Sequence, residues 1–488
     1  MERVKNFYRF FLTLMIIILT ILVFIKVGQN QAESDTLWHI KAGEWILANG
    51  IPYNDPFSWT MQGKSWFAHE WLWEVCAAYA YRLAGPTGIW LFTCIWVAVF
   101  CSSLWLLIKK RCDFHRAALL YTFTIISCSV FWNARPHPMA QALFALTLLI
   151  LLNLKDKPKG LVLLPFITLI WANMHGSAPL GVILPLFFWL TCKIKFNLPF
   201  LIAKTADIPL KTQQFLGITV LAAFAASLVN PHGINLWPYM FNVAGDPLMT
   251  KTISEWSSPN FQVIYYCPII IISLIFFSTL ILKSRTGSGN LSLFEFCITC
   301  GFFILALQQE RHTPYFYFTS ALLIGSLLGP KEDRQFQFGI NFKVLAAIFT
   351  ITSILIFSWL KPPTWIKENR FFPVVATQHL LQLRLVDNIF NQYGYGGYLI
   401  WYGIRPFIDG RADLYTFNSE IYHDYLDLTT NAVPGEKKLF ALPDQYFKKY
   451  NIKTVFIAAG TRLDLYLVHH PNWREVYRDN SAVIYQKR

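Results

Sequence analysis

The chain has 488 residues, 55% of them hydrophobic, 17% aromatic and only 14% charged, with a net charge of +14. Soluble domains carry about 25% charged residues, so the composition excludes an ordinary soluble enzyme. Lys and Arg gather in short segments between apolar runs, at Lys109-Lys110-Arg111, Lys155 to Lys159, Lys193 with Lys195, Lys283 with Arg285, and Lys331 with Arg334. That is the positive-inside distribution of membrane proteins and not a nucleic-acid patch, so no nucleic-acid partner is implied.

Apolar stretches long enough to cross a bilayer, about 20 residues each, fall near 8–27, 87–108, 116–132, 138–154, 160–174, 178–196, 214–229, 265–283, 291–308, 313–329 and 341–360. These eleven spans define an α-helical polytopic membrane protein. The first has no small-x-small cleavage site after it and is read as an uncleaved helix. It leads into a large first external loop, 28–86, where "SDTLWHIKAGEWILANG" has the pattern of an amphipathic helix carrying Asp35 and His39. In "YNDPFS", Asp55 is placed to initiate a turn before Pro56. Residues 69–85, "HEWLWEVCAAYAYRLAG", are aromatic but mixed, as in a helix lying at the interface.

Threading the spans with a cytoplasmic N-terminus leaves most Lys and Arg on the cytoplasmic side and puts residues 361–488 outside. The expected organisation is therefore a multi-pass domain over 1–360 in the plasma membrane, followed by an extracytoplasmic α/β domain over 361–488. In the latter, "GGYLIWY" and "TVFIAAG" read as strands and "ALPDQYFKKYN" as a helix. "WREVYRDNSAVIYQ" reads as a closing hairpin around Asp479-Asn480. All nine cysteines lie between Cys76 and Cys300, mostly in apolar runs, which argues against a disulfide framework. Cys297 and Cys300 form a CxxC inside an apolar segment and read as packing residues.

The threading sorts the polar residues. Six of the eleven histidines, His39, His69, His137, His175, His232 and His312, fall in outer loops. Asp35, Asp55, Glu70, Glu255, Glu310, Arg135 and Arg311 join them there. Ionisable groups at membrane depth are costly and mark pathways or sites. Pro136, Pro138, Gly176, Pro231 and Gly233 suit the tight turns that bring backbone close to a ligand. Carboxylates with imidazoles can move protons or hold a divalent cation, Mg or Mn, with Glu255 and His175 as candidate ligands. Arginines clamp phosphate. No Walker A loop or GxGxxG follows a strand, so energy would have to arrive within an activated, lipid-linked substrate.

An acid directly after the first span, an amphipathic helix, a "G-x-P" and a second polar loop resemble the first external loop of the GT-C superfamily, integral-membrane glycosyltransferases that use polyprenyl-phosphate sugars. "TISE", Thr252 to Glu255, is similar to the Thr-Ile-x-Glu motif of oligosaccharyltransferase catalytic subunits. "YGYGGYLIW" followed by "RPFIDGRADLY" is similar in place to the Trp-Trp-Asp-Tyr-Gly-Tyr region heading their C-terminal domain. Protein mannosyltransferase-like enzymes share the layout. The Trp-Trp-Asp signature itself is missing, with Gly394 and Gly396 in its neighbourhood, and "NARPHP" stands where an acid pair is expected. The resemblance therefore implies a lipid, a cell-surface glycan or another protein site as acceptor, in place of the protein sequon.

What the resemblance implies for Asp35 is general-base work in an inverting transfer, with Glu70 and Glu255 as further catalytic acids. Asp35 could equally cap the helix it opens, and one residue can do both. His39, at i+4, lies on the same face and could orient it. Arg135 or Arg311 would stabilise the departing polyprenyl phosphate, with His39, His137, His175, His232 and Arg411 as further binding groups. "DGRADLY", Asp409 to Tyr415, is either an acceptor or lipid-head contact or a Gly turn closed by an Asp–Arg pair. Two other classes compete: a non-enzymatic transporter or flippase, and an assembly subunit of a cell-envelope glycan pathway. Labelled flux without product would mark the former, and retained function after replacing Asp35, Glu70 and Glu255 together the latter.

Overall fold

The computed structural model describes residues 2–29, 33–194, 203–204, 208–286, 291–329, 372–429 and 443–488. The expected span 341–360 lies outside these residues. Each of the other ten coincides with a helix. They begin with α1 (Glu2–Gln29), followed in the first loop by α2 (Ser34–Asn49) and then α3 (Trp71–Ile108). Two helices, Trp71–Ile108 and Ile264–Leu282, are long and apolar enough to cross a membrane; shorter apolar helices include His137–Leu151, Leu180–Thr191 and Leu293–Gln308.

α3 joins the expected interfacial segment to the following span through a break. Ala84 and Gly85 leave helical geometry, Gly85 at φ 57°, and Pro86 follows. Only glycine takes that φ without cost, and Pro86 removes a helix donor. The break thus separates the aromatic half from the apolar half.

The described chain divides into two compact units. The first takes Met1–Asn30, Trp90–Leu236 and Ser257–Pro363. At its centre the helix Thr313–Leu328 is buried along nearly its whole length, packed by Phe114–Ser129, Cys267–Thr286 and Leu293–Gln308. Its outer helices stay apolar on their exposed faces, as at Leu119, Phe166, Leu221 and Leu274. A bundle apolar inside and outside suits lipid and not water. Hydroxyls within it bond their own helix: Thr124, Thr147, Thr168 and Thr319 each donate to the carbonyl four residues back.

The second unit gathers Gln31–Ile89, Trp237–Trp256 and Thr364–Arg488. Its sheet runs in the order Ile389–Asn391, Thr454–Ala458, Ala482–Lys487, Trp473–Arg478. The first pair is parallel and the others antiparallel. The final hairpin is closed by Asp479, whose Oδ1 accepts from Ser481 and Ala482 amides. Thr454–Ala458 is buried on both faces. Val455 and Ile457 enter one core with Trp38, Met61 and Trp66, while Phe456 enters another with Ile389 and Leu399. First-loop residues are therefore core residues of this unit.

"GGYLIWY" departs from the strand expectation, because Gly396–Trp401 is a helix packed on α2. A Cβ at Gly397 would collide with the Ser34 carbonyl, and one at Gly396 with the Ile408 carbonyl. The glycine pair serves close helix approach, which overrides the β-branched and aromatic bias of the run.

Candidate functional site

In the second unit, the first turn of α2 meets the "DGRADLY" loop. The N-cap of α2 is Glu33, without a side-chain capping bond, so Asp35 lies in the first turn. Asp35 is partly exposed. Trp38 Nε1 donates to its Oδ1 at 3.2 Å, and the Gly410 backbone comes so close that a Cβ there would overlap the carboxylate. Helix, indole and glycine together fix where this carboxylate points.

One turn on, His39 is buried, 2% exposed. Its Nδ1 lies 3.2 Å from Glu74 Oε1 and its Nε2 3.8 Å from Glu70 Oε2. The Trp38 and Trp73 rings pack against it, with centroids 3.6 and 5.2 Å away. Glu74 sits ahead of the α3 break, outside the apolar span. Burial, reinforced by the Glu70 charge, pushes its carboxyl well above the usual range, and its Oε2 has no hydrogen-bond partner among the described residues. The shift favours the neutral form of Glu74, with the His39 ring as its hydrogen-bond partner.

Asp55, Asp409 and Arg411 form a closed hub behind Gly410. Arg411 Nη2 donates to Asp409 Oδ2 at 2.7 Å, Nε to Asp409 Oδ1 at 2.8 Å, and Nη1 to Asp55 Oδ1 at 2.5 Å. Tyr415 Oη also donates to Asp409, at 2.7 Å. Asp55 accepts from the Phe57 and Ser58 amides, both at 3.0 Å, which is the expected Asx turn. Burial would raise its pKa, but the Arg411 charge and hydrogen bonds from Arg411, Ser58 and Phe57 hold it below the usual range. Arg411 is 2% exposed and carries the two carboxylates as a buried pair.

Glu255 lies in the turn Ser254–Trp256, after the helix Pro247–Thr252. The adjoining Thr252, Ile253 and Ser254 line a cavity of about 350 Å³ with Gln392, Tyr393 and Tyr422. Tyr393 is pushed up well above its ordinary range by burial and by the fields of Tyr422, Asp35, Asp409 and Glu255. "TISE" and "YGY" thus adjoin one acidic region. Tyr239 donates to Asp413 Oδ2, and its ring stacks on Phe67 at 3.9 Å between centroids.

The first unit holds the remaining candidates. Arg311 Nη2 contacts His137 Nε2 at 3.1 Å. Because guanidinium only donates, Nε2 accepts and His137 is neutral. The His137 and His175 rings meet edge to face at 5.1 Å. His175 Nδ1 accepts from the Ser177 amide at 3.0 Å, which puts its neutral-ring proton on Nε2. His232 follows a turn closed by Asn230 Oδ1 accepting its amide at 2.8 Å. Arg135 lies in the turn before the helix His137–Leu151, its amide donating to Asn133 O at 2.9 Å. Burial and the Arg311 charge hold His312 down to about 3, so it too is neutral. Arg311 therefore stands among neutral imidazoles.

Among the described residues, no three His, Cys, Asp or Glu side chains are placed to hold a metal. The proposed chemistry runs through no metal ion. Glu74 was not singled out by sequence as a site group. The signal for Glu74 was an acid at i+4 from Glu70 inside the otherwise aromatic "EWLWE".

The fold is similar to that of a solved archaeal oligosaccharyltransferase. The chain matches the oligosaccharyltransferase of Archaeoglobus fulgidus in its apo form, with a TM-score of 0.56 and 12% identity, over 91% of this chain and 69% of that one. ArnT from Cupriavidus metallidurans, bound to undecaprenyl phosphate and in the apo state, aligns over 97% of both chains with a TM-score of 0.47 and 12% identity. No protein-family model and no curated protein sequence matches the chain.

Proposed function

We propose that the chain is a multi-pass membrane glycosyltransferase, moving a sugar or oligosaccharide from a polyprenyl-phosphate donor to an acceptor hydroxyl on the extracytoplasmic face. Its N-terminus lies in the cytoplasm and residues 361–488 lie outside. Asp35 is the general base. It takes the proton as the acceptor oxygen attacks the anomeric carbon, the bond from that carbon to phosphate oxygen breaks, and polyprenyl phosphate leaves with the electron pair. Positioned general-base assistance contributes about 10²–10⁴-fold.

The observation that carries the proposal is the Asp35 setting: partly exposed, in a helix's first turn, oriented by Trp38 Nε1 and pressed by Gly410. The fold likeness to an oligosaccharyltransferase supports it. Buried His39 and Glu74, whose carboxyl is shifted by burial toward the neutral form, support a site built to manage protons. Arg311, among neutral imidazoles, is the type of cation a phosphate leaving group requires. Glu70 and Glu255 shape the acidic field and are assigned no bond-making step.

The test compares cells carrying the wild-type chain, Asp35→Asn and no chain. Mass spectrometry of lipid-linked and cell-surface glycans should show one species lost equally in the last two, with Asp35→Asn protein still present in membranes. A wild-type glycan profile with Asp35→Asn overturns the proposal.

A further inference from the structure

A second concavity in the same unit lies along the C-terminal half of α2. It encloses about 690 Å³ between Lys41, Glu44 and Trp45 of α2 and Trp401, Tyr402 and Arg405. That volume is within the range of ordinary ligand sites, about 300–1,000 Å³. Trp45 and Trp401 are partly exposed, and Tyr402 is 40% exposed. Trp45 is braced edge to face by Phe57, with centroids 6.4 Å apart. Lys41 Nζ stands 5.0 Å from the Trp401 ring centroid and 2.8 Å from Glu44 Oε2. Arg405 is exposed and donates through Nη1 to Gln62 Oε1 at 3.3 Å. None of these residues belongs to the Asp35 centre.

We infer that this groove is a carbohydrate-binding subsite for an oligosaccharide chain. A pyranose ring carries C–H groups on a face and hydroxyls round its edge. It is held by flat aromatic surfaces flanked by fixed donors and acceptors, which is what two indoles, a phenol, an ammonium–carboxylate pair and a guanidinium supply. A lipid tail would leave the Lys41–Glu44 pair desolvated in an apolar slot. An anionic bilayer surface would find Lys41 already paired with Glu44 and gains little from a concave wall. Trp45 follows Asp35 by ten residues on one helix, about 15 Å at 1.5 Å per residue. The inference deepens the glycosyl-transfer proposal and rests on it: the sugar-bearing substrate is a chain of several units, not a single sugar.

The experiment reads binding and not transfer, so the two ideas fail separately. The full-length chain in nanodiscs is applied to an array of immobilised neutral and uronate-containing oligosaccharides of increasing length. Retention is expected on longer chains and not on monosaccharides. Trp45→Ala and Tyr402→Ala should each weaken it by about tenfold, the equivalent of about 1.4 kcal/mol, and Trp45→Phe should restore most of it. Thermal midpoints near wild type establish that the variants are folded. No retention on any chain, or wild-type retention by both alanine variants, overturns the subsite. So does a result in which the alanine variants lose only binding to phosphatidylglycerol vesicles. Loss of transfer in Asp35→Asn beside an absent oligosaccharide signal removes the subsite and leaves the base standing.

Discussion

The first turn of α2 and the "DGRADLY" loop place carboxylates of the same kind in one neighbourhood and give them opposite settings. Asp409 and Asp55 are closed on Arg411, 0% and 3% exposed. Asp35, against Gly410 of the same loop, is partly exposed and accepts from an indole N–H. A carboxylate locked in a buried ion pair cannot take a substrate proton without breaking that pair, which is costly. One at the surface of the same structure, with its direction fixed, can. The hub is what keeps Gly410 in place, and Gly410 is what lets Asp35 sit where it does.

The hub is most vulnerable at Arg411. Arg411→Ala leaves two buried carboxylates without their cation and should cost about 3–5 kcal/mol of stability, read as a large drop in thermal midpoint and in folded protein recovered from membranes. Acid acts on the same hub more gradually. Asp55 has a folded pKa below its unfolded value of about 3.9, so the unfolded chain binds more protons as pH falls. The stabilisation is complete above about pH 4 and is lost as pH drops through the folded value. Chemical unfolding followed against pH should show this loss, and Asp55→Asn should be less stable at pH 7 and lose the acid dependence.

Gly410→Ala acts on the Asp35 side of the loop. Its methyl group would overlap the Asp35 carboxylate, so transfer should fall by about tenfold or more while stability changes by about 1–3 kcal/mol, the usual range for overpacking. Kinetics and a melt on one preparation separate the two effects. The smallest effect is expected at Glu74→Gln. Burial shifts this carboxyl toward its neutral form, so a neutral isostere should change stability at pH 7 by less than about 1 kcal/mol; a loss of several kcal/mol would mean that Glu74 is ionised.

Much of this was written locally in the sequence. The helices follow apolar runs, the Asx turn at Asp55 follows from "NDP", and the closing hairpin from alternation around Asp479-Asn480. Asp35 stood out because an acid opens an amphipathic helix directly after a span. What could not be read was pairing across distance. Arg411 lies 356 positions from Asp55, and no local pattern links them. "GGYLIWY" has strand composition, yet its glycines serve a helix pressed on Ser34. Glu74 was hidden in an aromatic stretch, where its role depends on His39 arriving from another helix.

The central claim is that Asp35, and not the hub beside it, carries the proton. Its most direct test is a side-by-side measurement of transfer rate and thermal midpoint for Asp35→Asn and Asp409→Asn in the full-length protein. Asp35→Asn should lose about 10²–10⁴-fold in rate with an unchanged midpoint, whereas Asp409→Asn should lower the midpoint and keep substantial activity in the molecules that remain folded. Wild-type transfer by Asp35→Asn would contradict the claim.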